Sequence, residues 1–419
     1  MAHPRSRRAS LGPRLYYGWW IVLAGLAIRA TAIGSFVWAF GVLIRPLEAE
    51  FGWNRAEISA AVSLSLLVAG LGGPLAGRLV DRWSARGLIM AGAAIYGFSL
   101  ALLSAISSLW QLYLGYTVMA MGRVALAYIP LNTLVARWFG RRRGRALGLS
   151  AAGMGIGGFL FVPFTSWLVE RLGWRGTYLV LAVLLLGIVL SLAVWVIRDR
   201  PPPSAQNERP EARAPPPVPV ATAEIVRSRP FWVLCGVFAL VWFSQFSVAV
   251  HSVPFLIQRG LGPGDAASVV GLTAGLGVAT PLLVGLLAER WLAPTAVLML
   301  TLSVQAAVLA GALVLPLPGT VLLWIVGVGI TNGAAETLEA LIVSRAFGLA
   351  RFGTIQGLMG IVETATFMLG PVFAGYLYDL RGDYVASFTA FAGTNLLAVL
   401  AMGLARRRGL VGGAATYGR

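Results

Sequence analysis

The chain has 419 residues, of which 58% are hydrophobic and 12% charged, with 33 basic and 16 acidic side chains. So little polar surface excludes a soluble globular protein of this length. The net charge of +17 would suit a nucleic-acid binder, but every basic residue is Arg and most sit in short connections between long apolar blocks, where positive charge sets membrane topology instead.

The chain opens on MAHPRSRRASLGPR and then runs into an apolar block at 18–44. That block is too long for the apolar region of a secretory signal, so a first membrane helix with the N-terminus held inside is expected. Further apolar blocks follow at 56–80, 87–107, 109–134, 145–169 and 175–197. After a polar break they resume at 230–256, 266–288, 292–315, 318–342, 353–377 and 384–405. Each has about 20 residues or more, enough to cross a hydrocarbon core of about 30 Å as a helix. None alternates as a barrel strand does. The expected fold is an all-α membrane protein of twelve transmembrane helices in two six-helix bundles, 1–197 and 230–419. Residues 198–229 lie between them, with PPP at Pro201–Pro203 and PPPVP at Pro215–Pro219. This segment is expected to be a flexible or extended cytoplasmic linker.

Loop charge fixes the expected orientation. With both termini cytoplasmic, 25 Arg fall inside and 6 outside, while Arg29 and Arg123 lie within helices. The expectation is a multi-pass protein of the cell inner membrane. The one cysteine, Cys235, lies in an apolar block and permits neither an intramolecular disulfide nor a metal cluster. A small core side chain is its expected role. No G-x-x-x-x-G-K-[ST] loop exists, and without Lys none can, so this chain alone does not hydrolyse ATP. No catalytic triad, metal site or cofactor site is apparent, and no enzyme is expected.

The two bundles repeat. GRLVDRWSAR at Gly77–Arg86 follows the second block and GLLAERWLAP at Gly285–Pro294 follows the eighth, 208 residues further on. In the first copy Gly77 permits close approach of another helix. Asp81 suits charge-assisted hydrogen bonds from a neighbouring Arg or a helix N-terminus. Gly77, Leu79, Asp81, Arg82, Ser84 and Arg86 satisfy G-x-L-x-D-R-x-[GS]-x-[RK], and this loop resembles the signature loop of the major facilitator superfamily. A narrower resemblance is to the monocarboxylate transporter and oxalate/formate antiporter branch. It rests on Tyr17-Gly18-Trp19-Trp20, on RWFGRRRGRALGLSAAGMGIGG at Arg137–Gly158, on SRPFW at Ser228–Trp232, on HSVPFLIQRG at His251–Gly260 and on GPVFAGYLYDLRGDY at Gly370–Tyr384.

The resemblance implies a secondary transporter whose two halves rock about a central cavity. It implies that the loop carrying Gly77, Asp81, Arg82 and Arg86 latches the cytoplasmic side in one conformation. It also implies that helices 1, 4, 7 and 10 line the cavity, 2, 5, 8 and 11 flank it, and 3, 6, 9 and 12 face lipid. The chain departs from the branch in its eighth block, which carries no charge, and in its eleventh, which carries Glu363 where the antiporter has a base. The branch's substrate-binding residues are therefore not carried over.

Charge inside a membrane costs at least about 2.5–3.5 kcal/mol per group on insertion scales, so each instance needs a reason. Arg29, Arg123, Glu336, Glu339, Glu363 and His251 fall in blocks 1, 4, 10, 10, 11 and 7, all in cavity or flanking positions under the resemblance. Arg29 and Arg123 either receive an organic anion, for which Arg is suited as a permanent bidentate donor, or pair with acids of the other half. Glu336 and Glu363 are candidate proton carriers, because a carboxyl withdrawn from water favours its protonated form. Glu339 shares a face with Glu336 and either couples to it or reaches Arg345. His251 either titrates or lines the cavity. Tyr128, Asn132, Gln245 and Asn332 either hydrogen-bond substrate or join helices. The glycines of the fifth block and Gly370-Pro371 of the eleventh suit close, sliding contacts and a kink.

Taken together, the sequence points to a monomeric carrier of a small organic anion, proton-coupled or exchanging against a counter-anion. The rival readings are an efflux pump for lipophilic or cationic compounds, which the three acids of the second half favour, and a non-transporting sensor.

Overall fold

The computed structural model describes residues 16–126, 128–140, 142–200, 222–331 and 333–411. Asn332 and most of the 198–229 linker lie outside the described residues. Among the described residues every regular element is a helix. Eleven stretches are long and apolar enough to cross a bilayer. The longest, Arg143–Trp195, has 53 residues and breaks at Gly173, whose φ of 67° and ψ of 176° suit glycine alone. That break makes two crossings of one stretch, so the expected twelve are present.

In chain order they are α1 (Gly18–Phe51), α2 (Arg55–Arg82), α3 (Ala85–Leu103), α4 (Leu109–Trp138), α5 (143–172) and α6 (174–195). The second half has α7 (Arg229–Gln258), α8 (Gly264–Arg290), α9 (Pro294–Val314), α10 (Leu317–Phe347), α11 (Phe352–Arg381) and α12 (Val385–Arg407). Helices satisfy their own backbone groups, which is what lipid demands. Ends are set locally. Asn54 and Glu57 form a reciprocal capping box at the start of α2, and Ser84 accepts from the Gly87 N–H at the start of α3. The expected lipid faces are apolar and uncovered, as at Phe98 of α3, Val183 of α6, Leu300 of α9 and Leu400 of α12.

Two cavity helices depart from regular α-geometry. α1 passes through π-helical turns at Gly34–Trp38 and α10 through another set at Leu323–Val328. α10 is interrupted again at Gly333, φ 81°, from which the segment Ala334–Phe347 starts afresh. Such irregular turns inside a membrane re-aim side chains and free a helix N-terminus where a site needs one.

The halves meet closely at the Arg-rich end. There α2 crosses α11 and α5 crosses α8 with backbone against backbone. A β-carbon on Gly77 would run into the Gly353 carbonyl, and one on Gly148 into that of Pro281. Further along the same crossing, Gly155 meets only the Val278 side chain, and Gly271 meets nothing within 4 Å. Phe159 of α5 is already 77% exposed. The bundle is therefore shut at the Arg-rich end, and the α5–α8 crossing loosens toward the other.

Two matched carboxylates hold the shut end. Asp81 accepts from the backbone N–H groups of Gly353 (3.2 Å) and Thr354 (2.7 Å) and from the Thr354 hydroxyl (2.8 Å). These are the first orphan donors of α11, where the helix dipole favours an anion. Arg137 stands 3.7 Å from the same carboxylate. Glu289, 208 residues further on in the repeated motif, does the same for α5. It accepts from the Arg145 N–H at 2.8 Å and pairs with the Arg145 guanidinium at 2.9 Å. Of the other motif residues, Arg82 is exposed, and the Arg86 backbone N–H donates to Asp199, the residue that leads into the linker.

Candidate functional site

At mid-membrane the buried charges gather between the halves. Arg29 of α1 is 2% exposed and forms an ion pair with Glu336 of α10. Its Nη2 also donates to Asn132 Oδ1 of α4 at 2.6 Å, and its guanidinium carbon stands 5.9 Å from the Tyr128 ring. Glu336 sits in the first turn after Gly333, so the positive end of a helix dipole backs its carboxylate. Of the two expectations for Arg29, pairing with an acid of the other half is the one realised in this conformation.

Glu339 lies one turn further along α10 and turns to other partners. The Trp242 indole N–H of α7 donates to its Oε2 at 3.2 Å. Tyr128, Gln356 and Glu363 are neighbours of the same carboxyl, and neither the Tyr128 hydroxyl nor the Gln356 amide completes a hydrogen bond among the described residues. Glu339 is thus wholly buried, away from the Arg345 end of the helix. The expected Glu336–Glu339 coupling gives way to a Glu339–Glu363 contact between α10 and α11, because Arg29 holds Glu336. As ionised groups both carboxyls are acceptors, and the Oε1 of each lacks a donor. A hydrogen bond forms between them when one carries a proton.

Arg123 of α4 stands apart from both clusters. Phe36, presented by the π-helical turns of α1, lies 4.6 Å below its guanidinium. Its Nε and Nη2 are buried with no hydrogen-bond partner among the described residues. Nearby, Tyr96 donates to the Ala32 carbonyl at 2.8 Å and contacts the Ser35 hydroxyl at 3.0 Å, which ties α3 to α1.

The remaining expected residues lie elsewhere. His251 of α7 bonds the Pro371 carbonyl through Nε2 at 3.0 Å and the Tyr384 hydroxyl through Nδ1 at 3.2 Å. It joins α7 to the proline position of α11 and to the start of α12. Burial pushes the Tyr384 hydroxyl above its ordinary range. Gln245 is buried in α7. Sequence reasoning missed Trp242, Gln356, Phe36 and Arg137. Gln356 carried a signal as a polar residue within an apolar block, whereas aromatic residues are too common in such blocks to stand out.

Residues 25–364 match the family model of the Major Facilitator Superfamily. The chain belongs to the Major Facilitator Superfamily. It is a multi-pass membrane transporter and not an enzyme. Among curated proteins it is similar to monocarboxylate transporter 13 of Bos taurus, 29% identical over 91% of this chain and 87% of that protein. It is also similar to monocarboxylate transporter 11 of Homo sapiens, 29% identical over 89% and 79%. Among solved structures, the fucose:proton symporter of E. coli superposes with a TM-score of 0.71 at 16% identity, over 93% of this chain and 99% of that one. The human organic anion transporter MFSD10 does so with a TM-score of 0.71 at 17% identity, over 93% and 100%. These two structures establish the facilitator fold with its paired six-helix bundles.

Proposed function

We propose that this facilitator moves a small organic anion of monocarboxylate type across the cell inner membrane by alternating access, with proton coupling or exchange against a counter-anion. The observation that carries the reading is Arg123, whose guanidinium nitrogens Nε and Nη2 are buried and have no hydrogen-bond partner among the described residues. A carboxylate supplies two acceptors in one plane, the geometry that an Arg fork matches. The names of the curated relatives support the same substrate class.

The 25-to-6 distribution of Arg supports cytoplasmic termini and a cytoplasmic linker. Under that orientation the shut end faces the cytoplasm and the conformation is outward-facing, with Gly77, Asp81 and Glu289 in the latch. Incoming anion meets Arg123 first. Arg29, seven residues before Phe36 and so about 10 Å deeper at 1.5 Å per residue, is held by Glu336 until the halves move. Glu339 and Glu363 take the coupled proton, with Tyr128 and Gln356 beside them, so that the anion crosses with its charge offset. His251 has a structural role, since both ring nitrogens are engaged. Both six-helix bundles come from the one chain, which supports a monomeric carrier.

A second reading, export of lipophilic cations, is favoured by one observation: Glu339 accepts from the Trp242 indole, which packs on Phe367, and no cationic partner is seen for Glu339 or Glu363 among the described residues. Proteoliposomes with an imposed pH gradient separate the two. The anion reading expects uptake of labelled monocarboxylates, with Arg123→Gln lowering it by about tenfold, the loss of one charged hydrogen bond of about 1.5 kcal/mol. Flux of organic amines with no flux of acids establishes the second reading instead.

A further inference from the structure

Two walls face each other across the cavity, and they differ in chemistry. The wall formed by the first half carries Arg123 over Phe36. The wall formed by the second half carries rings. Trp242 and Phe246 lie one turn apart on α7, and outward of them the same face continues as Ala249 and Val250, both exposed. The Trp242 indole N–H reaches the buried Glu339 of α10, which marks this face as turned inward and not to lipid. Phe367 of α11 completes the wall, its ring centroid 5.2 Å from that of Trp242 and 4.9 Å from that of Phe246, the latter edge-on at 88°. The bond from the Trp242 indole to Glu339 fixes the largest of the three rings.

Height brings the two walls into register. At 1.5 Å per residue from the Arg-rich ends of α4, α7 and α11, Arg123, Phe246 and Phe367 all lie about 22–26 Å up. A ligand whose carboxylate sits on Arg123 therefore has its remaining body opposite Trp242, Phe246 and Phe367. Below that wall are Glu339 and Glu363, and between their ends α7 and α11 carry no Arg.

We propose that the substrate is a monocarboxylate with an aryl or similarly bulky apolar body, and that Trp242, Phe246 and Phe367 determine this specificity. The proposal rests on the anion reading above. Apolar rings reward a flat apolar body with buried area and edge-to-face contact, whereas a two- or three-carbon acid leaves the wall wet. A second carboxylate on the ligand meets Glu339 and Glu363, so the same wall rejects dicarboxylates by repulsion.

The test is thermal-shift titration of the purified full-length protein with acetate, phenylacetate, phenylsuccinate and phenethylamine. Phenylacetate is expected to bind at least about tenfold tighter than acetate, and phenylsuccinate to lose that advantage. Phe367→Leu and Phe246→Leu keep the apolar volume and remove the ring, so they preserve folding and bring the phenylacetate-to-acetate affinity ratio toward one. Equal binding of acetate and phenylacetate overturns the proposal and leaves the anion reading standing. So does a ratio that survives both leucine variants. Stabilisation by phenethylamine with none by either monocarboxylate overturns both.

Discussion

Arg29 in α1 and Glu336 in α10 form a buried ion pair that ties one half of the transporter to the other at mid-membrane. Neither charge has water to fall back on. Asn132 and the helix N-terminus after Gly333 supply what solvent would. Removing one partner strands the other, a loss of about 3–5 kcal/mol when a buried pair is broken. Glu336→Gln and Arg29→Gln are each expected to lower the midpoint of thermal unfolding in detergent. The double variant is expected to recover part of that loss, with a coupling of about 1–3 kcal/mol. Strictly additive losses would show that the pair contributes no interaction of its own.

The Glu339–Glu363 contact differs in kind, because no cation balances it among the described residues. Glutamine at either position keeps the shape and removes the proton site. Glu339→Gln and Glu363→Gln are expected to abolish accumulation driven by a pH gradient while anion exchange at equal pH persists. The comparison is one of labelled uptake into proteoliposomes with and without the gradient. Retained accumulation in both variants rules these carboxyls out as the coupling site.

Asp81 holds α11 through three hydrogen bonds at its N-terminus, and Glu289 holds α5 by the matching contact. Charge-assisted bonds of this kind are worth about 1.5–3 kcal/mol each. Asp81→Asn weakens one latch, and the Asp81→Asn/Glu289→Gln pair weakens both. The expected result is a stepwise gain in labelling of a cysteine introduced at the Arg-rich end, in a Cys235→Ser background. Thr354→Val is expected to give a smaller gain than Asp81→Asn, because it removes one bond of the three. No change in labelling in the double variant would assign closure to helix contact alone.

The legible part of this molecule was the part written in composition. Apolar blocks and loop Arg gave twelve crossings, and the 208-residue offset between Asp81 and Glu289 gave the duplicated half. Arg29, Arg123, Glu336, Glu339 and Glu363 stood out because charge is costly in lipid. Their partners did not. Spacing put Glu336 and Glu339 on one face, yet the helix restart at Gly333 and the reach of Arg29 send the two carboxyls to different neighbours. Helix rotation and irregular turns decide such choices, and neither is written in residue periodicity. The aromatic wall was invisible for a simpler reason: Trp242, Phe246 and Phe367 look like any membrane-helix residues until α7 and α11 are set side by side.

The glycines offer a graded test of where the halves close. At Gly148 a β-carbon would meet the Pro281 carbonyl, and at Gly77 the Gly353 carbonyl, both backbone atoms that cannot swing aside. At Gly155 the obstacle is the Val278 side chain, and at Gly271 there is nothing within 4 Å. Overpacking of this sort costs about 1–3 kcal/mol. That cost falls only on the conformation shut at the Arg-rich end, so it shifts the two conformations by about 5- to 150-fold. Gly148→Ala and Gly77→Ala are expected to raise labelling of a cysteine at the Arg-rich end, Gly155→Ala to do so less, and Gly271→Ala to have no effect. A flat series would mean that the α2–α11 and α5–α8 crossings relax freely and that Asp81 and Glu289 alone hold the end shut.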